Sequence, residues 1–538
     1  MGLLSWFRKA EALSGKQAAD GPNGEIPNGH TLGYFDGENY AGGLGAIQEL
    51  LTDYWALRQR SATFFKSNQY GKGIVRRFVT NVINTGLSLE ADPITSLLPF
   101  DPDQAQKWAE GTEDRFLAYA NSPTMCDWRG EMSFGRMQRE IYREAIIEGD
   151  VLVIEHYNAA MVCPQYEVVP GSSVVDPFKD REDGVVIEYG VELDNKNREV
   201  AYHVAQQGGE TKRIPAFGGN GRRVAWLVFG TDKRRNERRG EPLLSVVMQG
   251  IGEALKFRDA AQRKASINAI FAMYFYHDPN ATGPTAKPLT GGATRRMSGS
   301  TDLGDGTDWK FDRSGFPNGV VMDKLPKGVM PKAIGSEGTD VNFKDFEAAI
   351  VDGCAWALEM PPSILRLVFG NSYSASRGEV KEFDMALNVL RDRFADQHPR
   401  RVYRSWLRIN ALGRKISMPG YLDATRDVGM TDIVSAWENT NWWGRVKEAV
   451  DLPKEVKGRS AMADRGYTTN SAAARALTGT SFRKNIEKVK RENILRADAL
   501  RPILELEREF GEAAVQKAMT ALNDGNVIQL SAVGNKDE

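Results

Sequence analysis

Apolar residues first recur at helical spacing from Ala46, where Ile47, Leu50, Leu51, Tyr54 and Leu57 predict an amphipathic helix. The stretch before it, Ser14 to Gly45, is rich in Gly, Asn and Pro and predicts a flexible arm. A second helix begins near Ser67, carries Ile74, Phe78 and Val82, and stops at Gly86. Residues 103–120 and 131–147 predict two more, parted by the turn-rich NSPT. The period then shortens. VLVIEHY, YEVVP, GVVIEYGVEL, EVAYHVA and RRVAWLVFG lie between Gly, Asn and Asp turns, so residues 150–230 predict a mostly antiparallel sheet.

Helical character returns at Pro242, well suited to a first turn, and continues for roughly thirty residues, about 45 Å at 1.5 Å per residue. Residues 278–340 are Gly-, Pro- and Thr-rich with short apolar pieces, and predict a small β-containing excursion. Phe346, Ala349, Ile350, Gly353, Cys354 and Ala357 then form one apolar stripe, closed by Pro361-Pro362. The polar stretch GNSYSASRG predicts a loop. After it Phe383, Leu387, Leu390 and Phe394 share a helix face that His398-Pro399 interrupts. The last hundred residues are helical and heavily charged, and no internal repeat is visible. The fold class expected is α+β, mainly helical.

Composition narrows the function classes. Seventy Lys and Arg nearly balance 71 Asp and Glu, which argues against a protein that coats nucleic acid through bulk charge. A channel through which DNA slides is compatible with that balance. Three separated cysteines, Cys126, Cys163 and Cys354, predict reduced thiols rather than a disulfide framework or zinc site. No apolar run reaches bilayer length. The opening MGLLSWFRKA is too short in its apolar part for a secretion signal, and Trp6 stands where a myristoylated start needs Ser or Thr.

Catalytic motifs are missing from the sequence. There is no GxxxxGK[ST], no HExxH and no GxSxG, and the loop DGENYAGG lacks the terminal Glu of a calcium loop. His30, His156, His203, His277 and His398 are scattered and are expected to be structural. The expectation is a protein with no catalytic residue, metal or cofactor. One basic cluster, Lys233, Arg234, Arg235, Arg238 and Arg239, fits either phosphate or an acidic partner, or a solvated strand-to-helix turn, the second being preferred. Lys256, Arg258, Arg263 and Lys264 on the long helix fit a DNA channel or ion pairs between subunits equally well.

The order of these pieces resembles the lambda-type phage portal family from about Arg58 to Glu455. The carriers are an Arg-Ser element in RQRSATFF followed by a helix ending in Gly, the strand GDVLVIEHY, and the hairpin GVELDNKNREVAYHV. Arg239-Gly240 before a helix start, and SYSASRGEVKEFDMAL, complete the set. Asn236-Glu237 and DLPKE at 451–455 depart from the family's usual Gly-Gln and Asp-Pro-Lys-Glu.

The resemblance implies a portal fold with wing, stem, clip and crown regions, and a ring usually of twelve subunits around an axial channel. On that analogy residues 1–45 are the arm, 46–240 and 379–425 the wing, and 241–275 and 343–360 the two stem helices. Residues 276–342 would be the clip, 361–378 a tunnel loop facing DNA, 426–525 the crown and 526–538 a frayed tail. Asn371, Ser372, Tyr373, Ser374, Ser376 and Arg377 become the channel candidates, and Phe346, Ile350 and Cys354 the stem-packing ones. Implied partners are other copies of the chain, double-stranded DNA bound without sequence preference, the terminase large subunit, capsid and scaffold proteins, and a head-completion protein. The implied location is the portal vertex of the virion, with the host cytoplasm during assembly. Two other classes compete: a helical scaffold or adaptor, which would not form a large closed ring, and a terminase-like packaging enzyme, which the missing P-loop disfavours.

Overall fold

The computed structural model describes residues 54–177, 185–206, 210–233, 237–270, 274–277, 301–302, 308–309, 329–332, 343–368, 373–444, 452–511, 513 and 515–516. The arm, the start of the first helix and the tail expected from sequence lie outside these residues. Two compact units divide the chain, one comprising residues 1–246 and 359–538 and the other Val247–Leu358.

The larger unit opens with helices α1 (Tyr54–Ser67) and α2 (Gln69–Val82). The Asn68 side chain caps α2 by accepting from the amides of Tyr70 and Gly71, the usual way to satisfy donors at a helix start. Strand β1 (Ser88–Ala91), α3 (Pro102–Asn121) and α4 (Phe134–Glu148) follow. Seven strands come next: β2 (Asp150–Asn158), β3 (Cys163–Pro170), β4 (Val186–Glu188), β5 (Val191–Leu193), β6 (Glu199–Ala205), β7 (Thr211–Pro215) and β8 (Ala225–Phe229). They form two antiparallel sheets, β3-β2-β8 and β4-β5-β6-β7, as the β-rich runs between turns predicted.

Strand β2 explains why VLVI is continuous rather than alternating. Val151, Leu152, Val153 and Ile154 are all buried, so both faces of this central strand are covered. Leu152 and Ile154, with Val169 and Leu227, meet Val191, Leu193, Tyr202 and Val204 of the second sheet in one apolar cluster. On the opposite face Trp226, paired with Val153, lies 6.2 Å from the ring of His398. Each large side chain buried this way contributes about 1.5–3 kcal/mol.

The smaller unit contains α5 (residues 245–270, starting just before it), short strands β9 (Tyr274–His277), β10 (Thr301–Asp302), β11 (Asp308–Trp309) and β12 (Val329–Lys332), and helix α6 (Phe343–Ala357). β9 pairs with β12 and β10 with β11, both antiparallel, so the Gly-rich excursion does carry β structure. Within this unit the rings of Phe257 on α5 and Phe346 on α6 stand 4.2 Å apart.

The larger unit resumes with a single helical turn, Pro362–Arg366, then α7 (Tyr373–Gln397) and α8 (Pro399–Leu412). The break falls at His398-Pro399 as expected, because Pro399 has no amide hydrogen to continue the ladder. Phe383, Leu387 and Phe394 are buried along α7. Helix α9 (Thr431–Glu438) leads to β13 (Thr440–Trp443), which pairs with β1. Three helices, α10 (Leu452–Asp464), α11 (Asn470–Thr478) and α12 (Phe482–Phe510), close the described chain.

Candidate functional site at the sheet-to-helix junction

Segments far apart in sequence meet where α4 runs into β2 and where the chain approaches α5. Gly149 ends α4 with φ of 97°, a conformation open mainly to glycine, and a Cβ there would come within 1.9 Å of the Gly240 carbonyl. A Cβ on Gly240 would in turn meet the Gly149 carbonyl at 2.2 Å. Two glycines therefore allow the strand start and the helix approach to touch backbone to backbone.

Asp150 sits beside this contact and is fully buried. Its carboxylate accepts from Arg239 Nε at 2.8 Å, Arg239 Nη2 at 2.9 Å, Arg58 Nη2 at 2.6 Å and the Gly240 amide at 2.9 Å. Arg239 spends its other donors on backbone carbonyls, those of Val174 at 2.9 Å, Tyr189 at 2.6 Å and Gly171 at 2.5 Å. All five of its N–H directions are thereby satisfied, which an arginine in a dry interior requires. Arg58 lies 4.8 Å from the centre of the Tyr54 ring, and the Tyr54 hydroxyl donates to the Gly240 carbonyl at 2.8 Å. Ser61, next along α1, donates to the carbonyl of Ile147 at 2.6 Å.

The electrostatics follow from the geometry. Burial pushes the Asp150 carboxyl up, but the Arg239 and Arg58 charges and the hydrogen bonds outweigh it and hold the group below the usual range. Burial alone would lower the Arg239 guanidinium, and Asp150 more than compensates. Burial also raises the Tyr54 phenol far above its ordinary value, so it remains a neutral donor. The junction is an ion triad that fixes geometry, with no group poised for proton transfer.

The basic cluster is thus not the solvated turn the sequence suggested. Arg239 is 1 % exposed and belongs to the core. Arg238 pairs with Glu188 at 3.0 Å, and Lys233 donates to the Glu237 carbonyl and lies over the Phe229 ring. Arg234 and Arg235 lie outside the described residues. The physical reason is local packing: the turn lies against both sheets, so Lys233, Arg238 and Arg239 find carboxylates and carbonyls before they find water.

The other candidates are placed as follows. Asn371 and Ser372 lie outside the described residues, while Tyr373, Ser374, Ser376 and Arg377 form the first turns of α7 rather than a loop. Ala375, Arg377, Glu379 and Lys381 are good helix formers that extend the Phe383–Leu387 periodicity backward, and Asn and Ser suit a helix start. Ser363 of the preceding turn bonds to Glu379, tying the two together. On α5, Lys256 and Arg263 are exposed and Arg258 is half-buried; only the backbone of Lys264 is described. On α6, Phe346 and Ile350 are half-buried and Cys354 is buried, its thiol raised by burial. Ala349, Gly353 and Ala357 of the expected stripe are exposed, beside Trp356, which is 89 % exposed.

Among the histidines, His156 pairs with Glu167 at 2.8 Å and stacks on Trp128, and His203 reaches Glu192 at 3.2 Å. Among the described residues no group of three His, Cys, Asp or Glu could hold a metal, and no helix is long and apolar enough to cross a membrane. Sequence reading missed Tyr54 and Asp150. The available signal was a Gly-Asp pair at a helix-to-strand junction together with two buried-type arginines that require an anion.

The segments meeting here, RQRS, GD and RRG, define a structural rather than a catalytic site. The family description "Phage portal protein, lambda family" matches residues 39–391, two thirds of the chain, and the chain belongs to that family. Among solved structures it is similar to a chain in the neck of an empty gene transfer agent (GTA) particle computed with C6 symmetry. There the identity is 13 %, the TM-score 0.38, and the match covers 78 % of this chain and 92 % of that one. The neck of the native GTA particle computed with C12 symmetry gives 11 % identity and a TM-score of 0.36 over the same shares. The virion of the native GTA particle gives 12 % and 0.36, again over 78 % and 92 %. No curated protein matches the chain.

Proposed function

We propose that this portal-family chain assembles into a closed ring of twelve subunits at one capsid vertex and serves as the channel for double-stranded DNA during packaging and ejection. The observation that carries the proposal is the family match over residues 39–391, which runs from the first helix through both long helices of the smaller unit. The division of the chain at Val247 and Leu358 supports assigning residues 241–275 and 343–360 to the stem and 276–342 to the clip. Residues 46–240 and 379–425 are then the wing, and 426–525 the crown. The clip is the docking platform for the terminase large subunit and later for a head-completion protein. Capsid and scaffold proteins meet the outer faces, and the mature location is the virion.

The work of such a ring is mechanical. ATP is hydrolysed by the separate motor, and this chain supplies a passage of fixed geometry. Residues 361–378 face the DNA on this reading, with Tyr373, Ser374, Ser376 and Arg377 presented from the start of α7 rather than from a free loop.

The test is packaging with substituted rings. Ser374→Glu with Ser376→Glu should leave ring assembly intact and lower the yield of DNA-filled heads several-fold, because it places carboxylates beside phosphates. Unchanged filling would remove these residues from the channel.

A further inference from the structure

Helix α12 is long and charged, and most of it is exposed. Lys484 anchors its first turn to α3 through Glu113 and Asp114, and Arg483 does so through Glu110. From Ile486 through Pro502 every residue is exposed. A helix so bare of tertiary contact is marginal by itself, since most helical stability in proteins comes from packing an apolar face.

Such a face is present. Phe482, Ile486, Val489, Asn493, Ala497, Leu500 and Leu504 are spaced 4, 3, 4, 4, 3 and 4 residues apart. The pattern repeats every eleven residues, which is 3.67 per turn, so the stripe runs almost straight along the helix. Ile486, Leu500 and Leu504 are 51 %, 52 % and 55 % exposed, and an open groove follows Ile486, Val489, Asn493 and Ala497.

Charge selects the occupant. Residues 482–496 carry six basic and two acidic side chains, and residues 497–510 two basic and four acidic. A parallel in-register copy would set basic half on basic half. An antiparallel copy would match the charges but closes as an isologous pair and cannot propagate round a ring. A parallel copy displaced by one eleven-residue repeat, about 16 Å, superposes the stripe on itself and brings the basic half toward the acidic half.

We propose that α12 packs along α12 of the neighbouring subunit, offset by one eleven-residue repeat, so that residues 482–489 of one copy lie beside residues 493–500 of the next. This contact rests on the ring reading above. It makes the crown a continuous heterologous belt.

Disulfide trapping tests it on the full chain, because Cys126, Cys163 and Cys354 are all buried and give little background. Ile486→Cys with Ala497→Cys in one chain should give, on mild oxidation of purified rings, a ladder of products larger than dimers. Each single variant should give none. Dimers from Ile486→Cys alone would mean in-register packing and overturn the proposal. Dimers without a ladder from Ile486→Cys with Leu500→Cys would mean an antiparallel pair and do the same. Rings of the expected mass with no ladder would overturn the belt and leave the portal reading standing, whereas absence of any ring would count against both. Reversing Lys488 and Arg491 to Glu should weaken the ladder, and adding Asp498→Lys with Glu505→Lys, the acidic residues within a turn of them in this register, should restore it.

Discussion

Asp150 holds two arginines from segments 92 and 89 residues away, and its removal leaves both without their anion in a dry interior. Asp150→Asn or Arg239→Ala should therefore lower stability by about 3–5 kcal/mol, the usual cost of breaking a buried ion pair. A fall in the urea midpoint of the full chain checks this; a midpoint unchanged within error would mean the triad is not structural. The depressed Asp150 carboxyl contributes stability above the unfolded value near 4 and loses it as pH falls through the folded one. His398 acts over a wider window. It is fully buried among Phe134, Tyr166, Trp226 and Phe394, neither ring nitrogen has a hydrogen-bond partner among the described residues, and burial, with Arg401 nearby, lowers it to about 3. The unfolded chain takes up this proton near pH 6.5 while the folded chain refuses it, so stability declines from about pH 6.5 downward. His398→Phe should flatten that decline between pH 6.5 and 4.5, read as a smaller loss of melting temperature on acidification. An equal loss in both proteins would exclude His398 as its source. The sequence held a signal for Asp150 in its Gly-Asp pair and the arginines that need an anion, whereas a lone His before Pro carries no sign of the aromatic rings that surround it.

At the scale of elements the pattern of the chain was largely legible. The β-rich, turn-bounded runs of 150–230, the helices at 103–120 and 131–147 and the break at His398-Pro399 all follow from local pattern, turn residues and proline chemistry, which tertiary packing did not override. Two elements differ, for distinct reasons. The Ser-, Asn- and Gly-rich composition of 370–378 suggested a loop, but Ser and Asn are also helix starters and the good helix formers behind them carry α7 back to Tyr373. The basic turn suggested solvation because a run of like charges shows its count and not its partners, and Arg239 turned inward to Asp150. The α6 stripe is split, with Phe346, Ile350 and Cys354 more covered and Ala349, Gly353 and Trp356 exposed. On the proposed reading, in which residues 343–360 are a stem helix, Ile350→Asp should abolish ring assembly by placing a charge on the more covered side of α6, measured as loss of the ring peak in size-exclusion chromatography. Normal rings from that variant would show that Ile350 is not packed.

For the whole molecule, the family match over residues 39–391 makes the chain a portal protein of the lambda family. Apolar side chains are exposed at Trp356 on α6, at Met385 and Val389 on α7, and along α12, and on the proposed ring reading contacts between subunits would cover them. Sequence could not reveal this, because exposure is a property of the folded surface and not of the residue order. The most direct measurement is native mass spectrometry of the purified chain, with images of the same sample. A closed ring of about twelve 59.7 kDa subunits, about 0.7 MDa, with a central hole is the predicted result. A chain that stays monomeric alone and also when produced together with its capsid and scaffold proteins would contradict it.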